Sequence, residues 1–546
     1  MKKNLSKLLA MSLALVTILG LFAGCAGKPA GSDASKGPDG TDQPSAPTVT
    51  ESTDATVVED MELTVGFPTG IESMTPFRNN IAQDSPYFRQ LYESLGILDF
   101  DAKEVVPWCA KGWTTEDGKV YDIELYDYIT DSAGNKITAD DIVWFMQTSM
   151  EKGLKPAFAK IESVEKTGDY TLRVTMNTNI VGAFETCLIN TFVISRAAFE
   201  ASKDEFATEV VCTSPYQVTS FTPSSDIVFE RRDEGYWQTD ESLIPTQCVP
   251  NVKKLTYKII VEASQQGVAL ETGVVDMFVR MDSTTGGTYV NNPSYVCNLS
   301  EGPQGWTLFF SGADSRPVAN DPKLCQAICY AIDLEGMMNA LSGGFATKMY
   351  DVCPSGAIGY LPKWDSEEYF PYDVEKAKQL LSESNYNGET LVLLCSSSTF
   401  NQRMAQMVQG FLINVGINCE LLTGDMAFIS SVRLDGTQYD MFINTIGATF
   451  LSDHWSIRYD MNAYSTGDGT SRHDAALAEM LYSTWTKDGY TEENIDKIHK
   501  YLMDNGIARG LLNPQNFCVI RGDLKIVKKV TNQSGELAIV ACEYGK

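Results

Sequence analysis

Ser149 and Lys152 stand three residues apart, and Lys166-Thr167-Gly168 follows shortly after. An SxxK pair with a KTG segment is the residue set of serine-acylating enzymes, which carry the two on an active-site helix and a remote sheet strand. Here only 13 residues lie between Lys152 and Lys166, so both fragments read as coincidence. Ser452-Asp453-His454 offers a hydroxyl, a carboxylate and an imidazole, but as consecutive residues they cannot converge as a triad. The chain has three histidines, which leaves little room for a histidine-based metal site, and it has no HExxH, P-loop or GxSxG segment. The residue set points to a protein that is not an enzyme, with no catalytic residues, no metal and no cofactor.

One thiol does have chemistry written around it. Met1-Lys2-Lys3 and Lys7 form a basic start, and residues 8–22 form an apolar run. That run falls short of the roughly 20 residues of a membrane span and fits a signal-peptide core. Ala23 and Gly24 are small, as a cleavage site requires, and Cys25 follows. The stretch resembles the lipobox of bacterial lipoproteins, with Phe22 in place of the usual Leu. The resemblance implies that Cys25 is acylated and becomes the mature N-terminus. Acyl chains contribute about 0.8 kcal/mol per buried CH₂, so a multiply acylated Cys25 would hold a soluble domain on a membrane.

The whole chain carries a net charge of −28, which becomes −31 once the three lysines of residues 1–24 are removed. Such acidity excludes charge-driven binding of nucleic acid or of an anionic membrane surface. A hydrophobic fraction of 43% over 546 residues allows two to four folded lobes. The twelve cysteines beyond Cys25 are scattered, with no CxxC pair, and read as small buried residues. Residues 26–57 are Gly, Ser, Pro, Asp, Thr and Ala with almost no large apolar residue, so a disordered tether is expected, with the fold starting near Glu59.

Any site must be held by the elements that follow. Residues 63–67 alternate as a strand. Ser85 and Pro86 look like the start of a helix bearing Phe88, Leu91, Tyr92 and Leu95. Asp117-Gly118-Lys119 marks a hairpin turn, and Thr138 caps a helix with Ile142, Phe145, Met146 and Met150 on one face. Residues 306–310 form an apolar strand. Met404, Met407, Val408, Phe411, Leu412 and Val415 make a helical stripe ended by Gly416, between strands at 391–395 and 417–421. Strand, helix, strand at these lengths is a βαβ unit with parallel strands.

Motifs recur along this frame. Leu91-Tyr92-Glu93-Ser94-Leu95, Val106-Pro107, Trp113, Asp117-Gly118-Lys119 and Thr138-Ala139-Asp140-Asp141 occur in that order. Ser214-Pro215-Tyr216, Tyr236-Trp237, Ala269-Leu270-Glu271-Thr272-Gly273 and Tyr330-Ala331-Ile332-Asp333 follow, and then Tyr372-Asp373-Val374-Glu375-Lys376-Ala377-Lys378-Gln379-Leu380-Leu381. The order resembles that of the extracellular solute-binding proteins of peptide ABC transporters, the oligopeptide/dipeptide/nickel-binding family. Cys109 stands where that family has Leu, Cys325 where Arg is common, and Ala448 where a Trp is expected.

The resemblance implies an α/β, two-lobed periplasmic-binding-protein-like fold with hinge strands and an extra subdomain inserted in the first lobe. The expected division is a signal peptide (1–24), a lipidated Cys with disordered linker (25–58), first-lobe segments (59–97 and 207–303), the inserted subdomain (98–206), the second lobe (304–515) and a return to the first (516–546). The implied function is capture of a peptide between the lobes and delivery to an ABC permease, by a monomer lipid-anchored at the outer face of the cytoplasmic membrane of a Gram-positive-type cell. Nickel chelates and oligosaccharides are rival ligands, and a surface sensor or tethered hydrolase is a rival role. Asp453 is the candidate partner of a ligand α-ammonium, since a buried charge must be paired. Trp306, Phe309 and Trp455 are candidate pocket walls, Thr69 and Glu72 candidate first-lobe contacts, and Arg458 a candidate partner of a ligand carboxylate.

Overall fold

The strand Met61–Phe67 alternates at first and then turns fully apolar, and its burial does the same. That is the pattern of a parallel strand covered on both faces. In a computed structural model it pairs in parallel with Val252–Ile259 on one side and Met277–Met281 on the other. The structure describes residues 49–77, 81–154, 156–301, 304–433, 436–447, 449–459 and 475–546, all within one unit, Ala46–Lys546. Antiparallel neighbours complete the first sheet: Asp226–Arg231 and Tyr216–Thr222 at one edge, Leu512–Arg521 and Tyr295–Glu301 at the other, with Ala346–Lys348 paired to Leu512–Arg521.

A second sheet runs Cys419–Gly424, Leu391–Ser396, Met441–Gly447, Gln304–Phe310, Ala508–Gly510. Its first two strands are parallel, as the strand–helix–strand reading requires. The intervening helix, Thr399–Val415, is capped by Ser398 and ended by Gly416 at φ +96°. Met404, Val408, Leu412 and Val415 are buried, each burial contributing roughly 1.5–3 kcal/mol, so the Met-containing stripe is core. A third, antiparallel sheet joins Ala110–Thr115, Val120–Leu125, Thr171–Met176 and Ile161–Gly168.

Two large hydrophobic cores, with a smaller cluster beside each of the first two sheets, divide these elements. The first holds Val65, Phe67, Tyr92 and Tyr257 together with Ile123, Phe158, Leu172 and Ala183 of the third sheet's side. The second holds Leu308, Leu393, Met404, Ile443, Leu451 and Trp455. The chain passes between them where Tyr295–Glu301 gives way to Gln304–Phe310, and returns where Ala508–Gly510 gives way to Leu512–Arg521. Leu511, between the latter two strands, donates its N–H to the Trp306 carbonyl at 2.8 Å.

Local chemistry sets the helix ends as the sequence implies. The Asp141 carboxylate accepts from the Thr138 N–H at 2.8 Å and from the Arg196 N–H at 2.8 Å. Asp321 and Asp373 cap their helices through the N–H groups of Leu324 and Lys376, and Pro322 occupies the first turn of its helix.

Three expectations are corrected. The helix expected to begin at Pro86 is Ile81–Leu91, with Pro86 inside it. Pro86 forfeits one backbone bond, and the complete burial of Tyr87, Phe88 and Leu91 holds the helix regardless. The tether is not free up to residue 58. Val49 is buried, Ser52 N–H donates to Ile526 O at 2.8 Å, and Val58 N–H donates to Tyr544 O at 2.9 Å. A few valines in a polar stretch suffice because the strand Glu543–Gly545 offers backbone partners there, including a bridge from Gly545 to Val57. The segment after Gly447, expected as a loop, contains the helix Leu451–Tyr459. The signal segment 1–24, Cys25, the tether up to residue 48, and Ala448 lie outside the described residues. Among the described residues no helix is long and apolar enough to cross a membrane.

Candidate functional site

The two cores approach each other at residues 156–160 and 180–183 on the first side and 450–453 on the second. Gly182 has φ +86°, a left-handed backbone that favours glycine, and a Cβ there would lie 2.1 Å from Cγ of Phe450. Ser452 Oγ donates to the Val181 carbonyl at 2.8 Å. Lys160, at the end of the short helix Pro156–Lys160, pairs with the Asp453 carboxylate. Lys160 is 1% exposed and Asp453 8% exposed, so this is a buried ion pair between elements of different cores. Burial pulls the Lys160 pKa down to about 8, which leaves the ammonium protonated at neutral pH.

The helix Leu451–Tyr459 sorts the remaining second-side candidates. Arg458 lies over the Phe309 ring at 5.1 Å, and burial lowers its pKa to about 10. Phe309 is buried, whereas Trp306, on the same strand, is half-buried and packs against Phe400 with centroids 5.6 Å apart. Trp455 is 1% exposed, sits in the second core with Phe309 and lies 6.3 Å from Trp364. Asp453 does not present a free carboxylate, because the protein's own lysine faces it. Thr69 and Glu72, past the end of Met61–Phe67, make their bonds on the first side. The Thr69 carbonyl accepts from Tyr87 Oη at 2.6 Å, and the Glu72 carboxylate accepts from the Ser224 hydroxyl.

Lys160, Gly182 and Phe450 are missed by sequence reasoning. The available signal was a lysine set in an apolar run, Ala157-Phe158-Ala159-Lys160-Ile161, but its partner lies 293 positions away.

Among the described residues, Ser452, Asp453 and His454 do not converge as a catalytic set. Ser452 Oγ is turned to a backbone carbonyl, and His454 is held neutral by burial beside Arg458 and Lys160, with Nε2 unpartnered. The SxxK and KTG fragments are apart in function as well: Lys166 pairs with Asp140 and Asp169, while Lys152 lies over the Phe77 ring. Glu367, Asp496 and His499 have ligand-type atoms within 4.8 Å of one another. Asp496, however, already accepts from Trp364 Nε1 at 2.9 Å, Lys363 at 2.8 Å and Lys500 at 2.6 Å, and two ammonium groups on one carboxylate repel a cation.

Two cores joined by crossing strands, with a charged contact between them, is the layout of a hinged binding protein. Residues 104–492 match the family model of the bacterial extracellular solute-binding proteins, family 5. The chain belongs to that family. The glutathione-binding protein GsiB of Salmonella paratyphi A is 24% identical over 384 residues, covering 68% of this chain and 70% of that one. The fold matches a putative peptide-binding protein AppA from Clostridium difficile with a TM-score of 0.74 at 17% identity, over 89% of this chain and 100% of that one. It matches the oligopeptide-binding protein AppA of Bacillus subtilis, solved with a nonapeptide, with a TM-score of 0.70 at 16% identity, over 90% and 100%. The fold is two-lobed, and the family consists of solute-binding proteins of ABC transporters, not of enzymes.

In this family-5 protein the motif residues are chiefly architectural. Glu93 of Leu91-Tyr92-Glu93-Ser94-Leu95 is fully buried and accepts from Tyr236 Oη and Trp237 Nε1, each at 2.5 Å, and from Cys109 Sγ at 3.5 Å. One carboxylate therefore ties three of the motifs together. Burial pushes its pKa up to about 7 against those hydrogen bonds.

Proposed function

We propose that this solute-binding protein captures a peptide or peptide-like solute bearing a free ammonium between its lobes and hands it to an ABC permease. It works as a monomer at the outer face of the cytoplasmic membrane of a Gram-positive-type cell, held by acyl chains on Cys25 after removal of residues 1–24. Residues 304–515 act as the second lobe, residues 59–97, 207–303 and 516–546 as the first, and residues 98–206 as its insertion.

The observation that carries this reading is the Lys160–Asp453 pair. A carboxylate buried at the meeting of two lobes already accepts an ammonium, and the pair comes apart when the lobes swing open. An arriving ligand ammonium then replaces Lys160 on Asp453 and is paired as the lobes close, as a buried cation requires. Trp306 and Phe309 with Arg458 form the second-lobe wall beside it, with Thr69 and Glu72 at the first-lobe rim. Names among the relatives and fold neighbours, glutathione and a nonapeptide, support a ligand built on peptide bonds. The experiment is calorimetric titration of the purified protein with a tripeptide pool and with the same pool N-acetylated. The free-ammonium pool binds at least about tenfold more tightly, a difference of about 1.4 kcal/mol. Equal affinity for the two pools would overturn the reading.

A further inference from the structure

A cavity in the first lobe reaches the crossing strands Tyr295–Glu301 and Leu512–Arg521 and is lined by no second-lobe residue. It measures about 90 Å³, and its lining comes only from residues 67–300 and 516–540. Apolar side chains such as Phe67 and Ile97 share its wall with an arginine that no carboxylate neutralises among the described residues and with two polar side-chain atoms that lack a hydrogen-bond partner.

The first is Arg89. Its guanidinium donates to Ser94 Oγ at 2.9 Å and to the Ile189 carbonyl at 3.0 Å, both uncharged, and no carboxylate pairs with it among the described residues. Burial lowers its pKa to about 10, as expected of a cation without a counter-ion. The second is Trp108, 3% exposed, whose Nε1–H has no acceptor. Its backbone N–H is bonded to the Leu95 carbonyl at 3.0 Å, next to the Ser94 that holds Arg89. The third is Gln533, whose buried Oε1 has no donor. The other charged residues of the lining, Arg280 and Glu536, neutralise each other through two hydrogen bonds of 2.7 and 2.9 Å. The cavity thus has a spare positive charge, a spare donor and a spare acceptor, and buried groups left in that state are costly unless something meets them.

We propose that this cavity is a second ligand site, for a short carboxylate that also carries a hydroxyl or amine. The carboxylate takes the Arg89 charge and the Trp108 N–H, and the donor is accepted by Gln533. A cavity of 150 Å³ holds benzene, so one of 90 Å³ takes about four heavy atoms, which restricts the ligand to the smallest hydroxy or amino carboxylates, of the size of glycolate. No residue of the second lobe lines it, so it is a site separate from the one between the lobes.

The test uses the purified full chain and glycolate as probe, titrated by ligand-observed NMR at fixed ionic strength. Acetate lacks the hydroxyl, and glycolamide lacks the charge. Glycolate is expected to bind, acetate about threefold or more weakly, and glycolamide at least about tenfold more weakly, as for loss of a neutral and of a charged hydrogen bond. Arg89→Met should weaken glycolate at least about tenfold and Trp108→Phe about threefold, with affinity for the solute between the lobes unchanged. Trp108→Phe keeps an aromatic side chain and decides the matter if Arg89→Met does not fold. Glycolate and glycolamide binding alike, glycolate binding unchanged in Trp108→Phe, or a crystal grown in glycolate with water alone in the cavity would each overturn the assignment.

Discussion

Lys160 and Asp453 are ion-paired across the junction of the two lobes, in a place from which both are withdrawn from water. If a ligand ammonium replaces Lys160 there, the two residues act in opposite directions. Asp453→Asn should weaken a free-ammonium peptide by about 3–5 kcal/mol, the cost of breaking a buried pair. Lys160→Met removes the competitor and should tighten the same peptide by about tenfold, or 1.4 kcal/mol. Calorimetry on both variants checks this. Changes under about 1 kcal/mol in both, the size of an exposed pair, would remove the two residues from the site.

Gly182 lies against the Phe450 ring at this junction, with no room for a Cβ. A side chain on Gly182 meets the Phe450 ring and is strained at positive φ as well. Gly182→Ala should therefore hold the lobes apart and weaken ligand binding, seen as a larger radius of gyration of the ligand-saturated protein by X-ray scattering. Phe450→Ala added to Gly182→Ala should restore part of the closure, because it removes the ring that the new methyl strikes.

Glu93 sets a pH dependence of stability. Its pKa rises from 4.5 unfolded to about 7 folded. Between those values the folded state binds more protons than the unfolded state, so stability falls as pH rises. The contribution is fully present below pH 4.5 and is lost through about pH 7, amounting to about 3 kcal/mol at 1.36 kcal/mol per pH unit. Asp351, raised by burial from 3.8 to about 7, adds in the same sense. Denaturant melts from pH 4.5 to 7.5 should show a smaller decline in Glu93→Gln than in the unaltered protein. An equal decline would mean that Glu93 titrates normally.

The folded elements were legible wherever the signal was local. Asp373 before Val374 and Gly416 after Val415 announce their helix ends, because capping is a matter of neighbouring residues. The alternation in Met61–Phe67 and the βαβ spacing around Thr399–Val415 told strand from helix. The site was less legible, because its partners are distant in sequence. Asp453 looked like a free loop acid, yet it stands on a helix against Lys160, and no periodicity links the two. The place of Trp455 near Trp364 in the second core was not legible either, since side-chain direction on a helix depends on the helix start, and the helix was not anticipated. The bonded ends of the tether escaped notice because their anchor is the far end of the chain.

No disulfide joins any of the twelve described cysteines, and Cys248 alone among them is not buried. Burial raises the pKa of Cys187 and Cys212 to about 12, so these thiols are protonated as well as inaccessible. Thiol titration of the native protein should label Cys248 first and leave the buried cysteines unlabelled until denaturant is added. Fewer than twelve thiols in denaturant without reductant would show that disulfides form.

The central claim is that the lobes close on a peptide-like solute and leave it unaltered. Native mass spectrometry of the gently purified protein, before and after titration with a peptide mixture, addresses it most directly. The account predicts discrete adducts with the masses of intact peptides, lost on unfolding and regained on refolding with the mixture. A single unliganded mass throughout, or adducts and free products with the masses of cleaved peptides, would contradict it.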